Sequence, residues 1–118
     1  GGDNIIILRL GEMYLIRAEA RANQGKITES LVDLNQIRTR AGLKDIVALD
    51  KNDVLLAVER ERGFELAYEG HRWFDLTRTN RAKDVVPTVN NINQYLMPIP
   101  QSELNANSNT GMIQNPGY

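Results

Sequence analysis

The stretch Glu61 to Arg78, ERGFELAYEGHRWFDLTR, constrains this chain more than any other. Its eighteen residues carry seven charges, Glu61, Arg62, Glu65, Glu69, Arg72, Asp75 and Arg78, set among apolar ones. Glu61, Glu65 and Glu69 step by four and so line one face of a helix. Arg62 stands three before Glu65, Arg72 three after Glu69 and three before Asp75, and Arg78 three beyond that. Side chains at these intervals are neighbours on a helix, and opposite charges there pair. The spacing predicts a structural ion network partly covered by Phe64, Leu66, Ala67, Tyr68, Trp73, Phe74 and Leu76. A run of this kind organises a fold before it performs any chemistry.

The 118 residues suit one domain with a modest core. A formal net charge of −1 carries no basic footprint for nucleic acid. The chain has no cysteine, which rules out disulfides and thiolate metal sites within it, and a single histidine, His71, cannot build a histidine cage. No cofactor is expected. The apolar run Ile5 to Leu8 is far too short to span a bilayer. It lacks the basic flank and cleavage site of a signal peptide. The opening Gly1-Gly2 reads as an artificial junction.

Helical spacing runs from Leu8 to about Gln24, with Leu10, Met13, Tyr14, Arg17, Ala18 and Arg21 on one face and the arginine stems covering apolar surface. Gly25 stops it. A second helix opens at Thr28 with the stripe Leu31, Leu34 and Ile37, and ends before Gly42 with Arg38 and Arg40 suited to the helix dipole. The short link predicts an antiparallel pair over about 8–41. A loop through Leu43 to Leu49 leads to Asp50 or Asn52 as N-cap. The third helix then runs to about Glu69, Gly70 breaks it, and a short helix follows around Trp73 to Arg78; the helical charged motif spans about 52–78. Gly63 inside this helix costs about 1 kcal/mol relative to alanine, which close packing against it would offset. Residues 79–118 hold all four prolines and most of the asparagines without a sustained helical period. Tyr95-Leu96-Met97-Pro98-Ile99-Pro100 is extended, because each proline biases its predecessor away from the helix. Leu96, Ile99, Leu104 and Met112 would anchor this irregular arm.

Leu10-Gly11-x-x-Tyr14 also matches the opening element of a tetratricopeptide helix pair, and about three such pairs are needed to bury their own faces. The expected fold is therefore all-α: a tetratricopeptide-like hairpin, further helices and the arm, forming one domain that reads as a piece of a longer protein. Three blocks, RLGEMYLIRAEARANQG (Arg9 to Gly25), ELAYEGHRWFDL within the charged run, and YLMPIPQSELNANSNTGMIQNPGY (Tyr95 to Tyr118), resemble the C-terminal part of SusD/RagB-family proteins in order and spacing. The resemblance implies non-catalytic surface lipoproteins of the outer membrane in Bacteroidetes-type bacteria. Such proteins bind glycans or other nutrients and act as a lid on a TonB-dependent, SusC-like transporter. Gly11 and Gly63 depart from the family pattern and would loosen their helices locally. A lipidation cysteine and the several hundred residues of a family member do not occur in this sequence.

Each candidate residue carries a plainer reading. Glu61, Glu65 and Glu69 could form a carboxylate pair for glycoside hydrolysis, which needs two carboxyls across a cleft; interleaving with Arg62 and Arg72 favours an ion network instead. His71 has no serine or cysteine motif beside it and reads as a helix-junction histidine. Trp73 reads as core. Tyr95, with Asn90, Asn91 and Asn93 in a loop, is better placed for contact with a sugar, since loops carry ligand contacts and aromatic rings stack on pyranose faces. Asparagine clusters also mark turns, Tyr118 gives no clearer signal, and Pro98 and Pro100 read as stiffeners of a strap. No ligand-binding residue is assigned from the sequence. The alternative class is a tetratricopeptide-type protein interaction module, which would continue in 34-residue repeats.

Overall fold

The computed structural model describes residues 8–47, 50–107 and 111–118. Gly1-Gly2, most of the Ile5–Leu8 run and Leu49 lie outside the described residues. Regular structure among the described residues is helical throughout. Contacts gather the chain into two compact units, 1–72 and 73–118.

The first unit contains α1 (Leu10–Asn23), α2 (Ile27–Arg40) and α3 (Lys51–Glu65). The first two helices stop by the same device. Gly25 and Gly42 sit at φ +77° and +72°, a left-handed conformation glycine enters without steric cost. Lys26 N then donates to Arg21 O and Leu43 N to Arg38 O, which satisfies carbonyls the helix would leave open. Asp50 caps α3, accepting from Asp53 N at 2.9 Å.

The pair α1 and α2 is antiparallel, because contacts run from Ala18–Ser30 and Arg17–Asp33 to Arg21–Glu29. After α2 the chain turns back along it, with Lys44, Asp45 and Ile46 bonded to Arg38, Thr39 and Asn35 in turn. A link of ten residues can span at most ~33 Å and a fourteen-residue helix measures ~21 Å, so the link is long enough for α3 to start at the far end of α2. As a result α3 starts beside the end of α1, where Lys51 Nζ meets Asn23 O, and ends beside the end of α2, where Glu61 meets Arg38. It lies parallel to α2, whereas a repeating up-and-down array would place it antiparallel.

The core consists of Leu15, Ala18, Ala22, Leu34, Ile37, Val54 and Val58. Burying each of the larger ones contributes roughly 1.5–3 kcal/mol. The buried face of α1 is Gly11, Leu15, Ala18 and Ala22, rotated from the expected face. Leu10 and Met13 are exposed, and of the expected set only Ala18 is fully buried. Arg17 and Arg21 flank that face rather than cover it, because Asp33 on α2 draws both guanidinium groups.

Helix α3 ends at Glu65, one turn short of the expected Glu69. Residues 66–70 form a turn in which Tyr68 (φ +65°) and Gly70 (φ +79°) both adopt left-handed backbone. Glu69 is therefore not on the face shared by Glu61 and Glu65. The next helix, α4 (His71–Arg78), begins directly after this turn.

In the second unit, α5 (Ala82–Val85), a 3₁₀ turn (Ile92–Tyr95) and α6 (Gln101–Ala106) interrupt what the sequence shows as an irregular arm. Leu76, Ala82 and Val89 form its small buried set. The arm is held by amides more than by its apolar residues. Gln114 accepts from Ile99 N at 2.7 Å and donates to Ile99 O at 2.9 Å, and Asn115 donates to Met97 O at 2.6 Å. Thus QNPGY clamps LMPIP, while Leu96 and Met112, expected as anchors, are exposed.

Gly63 tests this packing. A methyl group there would stand 3.2 Å from Arg72 Nη1, the end of a flexible and partly exposed side chain. Gly63→Ala should raise stability by roughly 0.5–1 kcal/mol in urea unfolding, as a helix-interior glycine replaced by alanine does. A loss of stability instead would mean that Arg72 is fixed in place.

Candidate functional site

Each carboxylate of the charged run faces a guanidinium, but most partners come from other helices. Glu61 Oε2 accepts from Arg38 Nη1 at 2.9 Å, with both side chains largely buried. Glu65 is bonded by Arg9 through one oxygen and by Arg40 through the other. Arg9 also reaches Glu69, and donates to the Glu65 carbonyl at 2.9 Å. Arg62 lies 3.8 Å from Glu12 of α1, and His71 approaches the same Glu12 oxygen at 3.8 Å. Arg72 spans back to Glu59 at 3.5 Å and to its carbonyl at 3.2 Å. In the second unit Arg78 pairs with Asp75 at 2.9 Å, the helical i, i+3 contact the spacing predicts.

The expected apolar cover departs from this picture. Leu66 and Leu76 are buried and Trp73 is half-buried, but Phe64, Ala67, Tyr68 and Phe74 are exposed. Neighbouring helices shield the carboxylates of the first unit. Arg38 and Arg40, assigned from the sequence to a helix dipole, supply two of the pairings.

A second cluster escaped sequence reasoning. Asp33, 1% exposed, accepts from Arg17 Nε and Nη2 at 2.9 and 2.7 Å and from Arg21 Nη1 at 2.6 Å. Its hydrogen bonds and charge raise the pKa of Arg17 above the ordinary arginine value. Arg17 also lies 5.3 Å from the centre of the Tyr14 ring, a cation–π contact. The signal was present in the sequence: an acid inside the apolar stripe of α2, preceded by arginines four apart on α1.

Gly11 is the point of closest approach. An added Cβ would lie 2.6 Å from Glu65 Oε1 and 3.3 Å from its Cδ. The expected loosening at Gly11 therefore gives way to a steric requirement for glycine, which lets α1 come down onto the carboxylate that Arg9 and Arg40 hold.

The loop candidates occupy the second unit. Asn91 Oδ1 accepts from Asn93 N at 3.0 Å, and Gln94 accepts from the backbone of Asn90 and Asn91, so the asparagine cluster does cap a turn. Trp73 meets Tyr95 edge to face at 6.4 Å, and the Tyr95 hydroxyl accepts from Lys83 N at 3.1 Å. A cavity of about 580 Å³ lies beside this ring, walled by Asn80, Lys83, Asp84, Asn90, Ile92 and Tyr95. Tyr118 is exposed. Among the described residues no cluster of acidic and histidine side chains has the geometry to hold a metal ion. No described helix is long and apolar enough to cross a membrane.

A helical hairpin fastened by crossed guanidinium–carboxylate pairs, with a proline-rich strap beyond it, defines a helical scaffold. The sequence profile of the SusD family matches residues 1–94, and the chain belongs to that family. It is 38% identical over 100 residues to SusD-like protein P38 of Formosa agariphila, covering 77% of this chain and 20% of that protein. It is 36% identical over 128 residues to the starch-binding protein SusD of Bacteroides thetaiotaomicron, covering 98% of this chain and 22% of that protein. A SusD-like protein of Bacteroides fragilis superposes with a TM-score of 0.78 at 32% identity, over 96% of this chain and 26% of that one. The chain thus spans about a fifth of the length of the curated relatives cited. The all-α, tetratricopeptide-like expectation agrees with these neighbours.

The Gly11 contact yields a coupled prediction. Gly11→Ala should cost about 1–3 kcal/mol in urea unfolding, the usual cost of overpacking. In a Glu65→Ala background the same change should cost far less, since the opposing carboxylate is gone. Equal costs in both backgrounds would contradict the contact.

Proposed function

We propose that these residues are a helical scaffold within a larger, non-catalytic SusD-like binding protein at the outer-membrane surface. That protein takes up glycans or other nutrients together with a TonB-dependent, SusC-like transporter. The match to the SusD family over residues 1–94 carries this reading. The naming of one relative as starch-binding supports a carbohydrate ligand. The charged run, Glu61, Arg62, Glu65, Glu69, Arg72, Asp75 and Arg78, serves as structure on this reading. Glycoside hydrolysis asks for one carboxyl free to protonate a leaving group and another free to attack, whereas Glu61, Glu65 and Glu69 each face a guanidinium. The parallel placement of α3 also weighs against an interaction module built from 34-residue steps. Exposed Leu10, Met13 and Ile16 give α1 an apolar surface on which the rest of such a protein would pack.

Three measurements on the intact protein test the proposal. Affinity electrophoresis in gels cast with starch, laminarin or xylan should retard it, and affinity capture from solubilised outer membranes should bring down a large β-barrel receptor. No retardation and no barrel would overturn the reading. A reducing-sugar assay on the retarding polysaccharide should show no release, and turnover would overturn the non-catalytic assignment.

A further inference from the structure

We propose that the cavity beside Tyr95 is a contact site for a neutral sugar ring, an inference that rests on the glycan-binding reading above. Its volume, about 580 Å³, falls in the range of small-molecule sites. Its walls are set by the local backbone. Asn80 closes α4 in a left-handed conformation (φ +59°), with Arg81 N donating to Leu76 O at 2.7 Å and Asn80 N to Thr77 O at 3.1 Å. This reversal leads directly into α5, which brings Lys83 and Asp84 to the same cavity as Asn80. The Asn91 cap and the two bonds to Gln94 fix the turn that carries Asn90, Ile92 and Tyr95.

The lining matches the two-sided chemistry of a pyranose, whose hydroxyls seek donors and acceptors while its C–H faces are apolar. Asn80 and Asn90 offer amides that both donate and accept. Lys83 donates. The Tyr95 hydroxyl already accepts from Lys83 N, so its proton remains available for donation. Ile92 and the Tyr95 ring supply apolar surface, and Trp73 against the ring limits its tilt. The charges on the wall are one cation, Lys83, and one anion, Asp84, the latter paired with Arg81 at 2.5 Å. Because Arg81 adds a second cation beside Asp84, it is the amides and the apolar ring surface, rather than charge, that favour an uncharged polyhydroxylated ligand. Asn91 lines the same space, but its side-chain oxygen is committed to the turn.

The test uses saturation-transfer NMR on the intact protein with methyl α-D-glucopyranoside, methyl α-D-galactopyranoside and methyl β-D-xylopyranoside, and D-glucuronate as the anionic comparison. Lys83→Met and Asn90→Ala change exposed side chains, and Asn80→Gly removes an amide while keeping the left-handed backbone. At least one neutral glycoside should bind in preference to glucuronate. Its affinity should fall about tenfold when Lys83→Met and Asn90→Ala are combined, as loss of two hydrogen bonds implies, with helical circular dichroism unchanged. Glycoside binding that survives all three variants would overturn the site and leave the glycan-binding reading intact. Preference for glucuronate would overturn the neutral-ligand assignment. Failure of all three glycosides to bind while a polysaccharide still retards the protein would also overturn the site alone. Failure of both would overturn the site together with the reading it rests on.

Discussion

The guanidinium–carboxylate pairs that cross between helices are the interaction on which the arrangement of the first unit depends. Asp33 receives Arg17 and Arg21 and sets α2 on α1; Glu61 receives Arg38 and sets α3 on α2; Glu65 receives Arg9 and Arg40 and joins α3 to the beginning of α1 and the end of α2. The apolar core beneath them is narrow, with Ala18 and Ala22 supplying much of the α1 face. Apolar burial is non-directional. Charge-assisted hydrogen bonds carry geometry as well as energy, so they can choose one register among several that bury similar area. In that role the pairs need not add net stability: a buried ion pair adds little over an apolar replacement yet is costly to break on one side.

The same constraint explains two features that look like weaknesses in the sequence. Gly11 stands where α1 meets the Glu65 carboxylate, and any side chain would occupy the space of Oε1. The long link 41–50 allows α3 to run parallel to α2, which places Glu61 and Glu65 beside Arg38 and Arg40 at the end of that helix. An antiparallel α3 would carry these acids to the other end of α2 and separate them from both arginines.

Much of the fold was legible from local signals. Gly25, Gly42 and Asp50 mark helix ends through backbone chemistry that involves only a few neighbouring residues, and the structure places the helix boundaries there. The carboxylates of the charged run were legible as paired groups, yet their partners were not. Arg9 lies fifty-six residues from Glu65 and Arg38 twenty-three from Glu61, and helical periodicity holds no information at that range. Spacing alone carries α3 on to Glu69, because nothing about a tyrosine announces the left-handed backbone found at Tyr68. The buried face of α1 differs from the one helical spacing suggests, because a buried acid on α2 draws the head groups of Arg17 and Arg21. In the arm, Gln114 and Asn115 replace apolar anchoring with amide bonds to the LMPIP backbone, a role that composition does not show.

On the proposed reading, a scaffold fixed in this way would give a larger binding protein a helical element of defined register. Setting the register in this way requires crossed pairs to be energetically coupled, and Arg38 with Glu61 is a well-shielded instance, at 20% and 5% side-chain exposure. The direct measurement is a double-mutant cycle in urea with Arg38→Met, Glu61→Gln and the combined variant. A coupling of about 1–3 kcal/mol is expected for a charge-assisted bond in a shielded setting. Additive effects, with coupling below about 0.5 kcal/mol, would show that the helices find their register without the pair and would contradict the account.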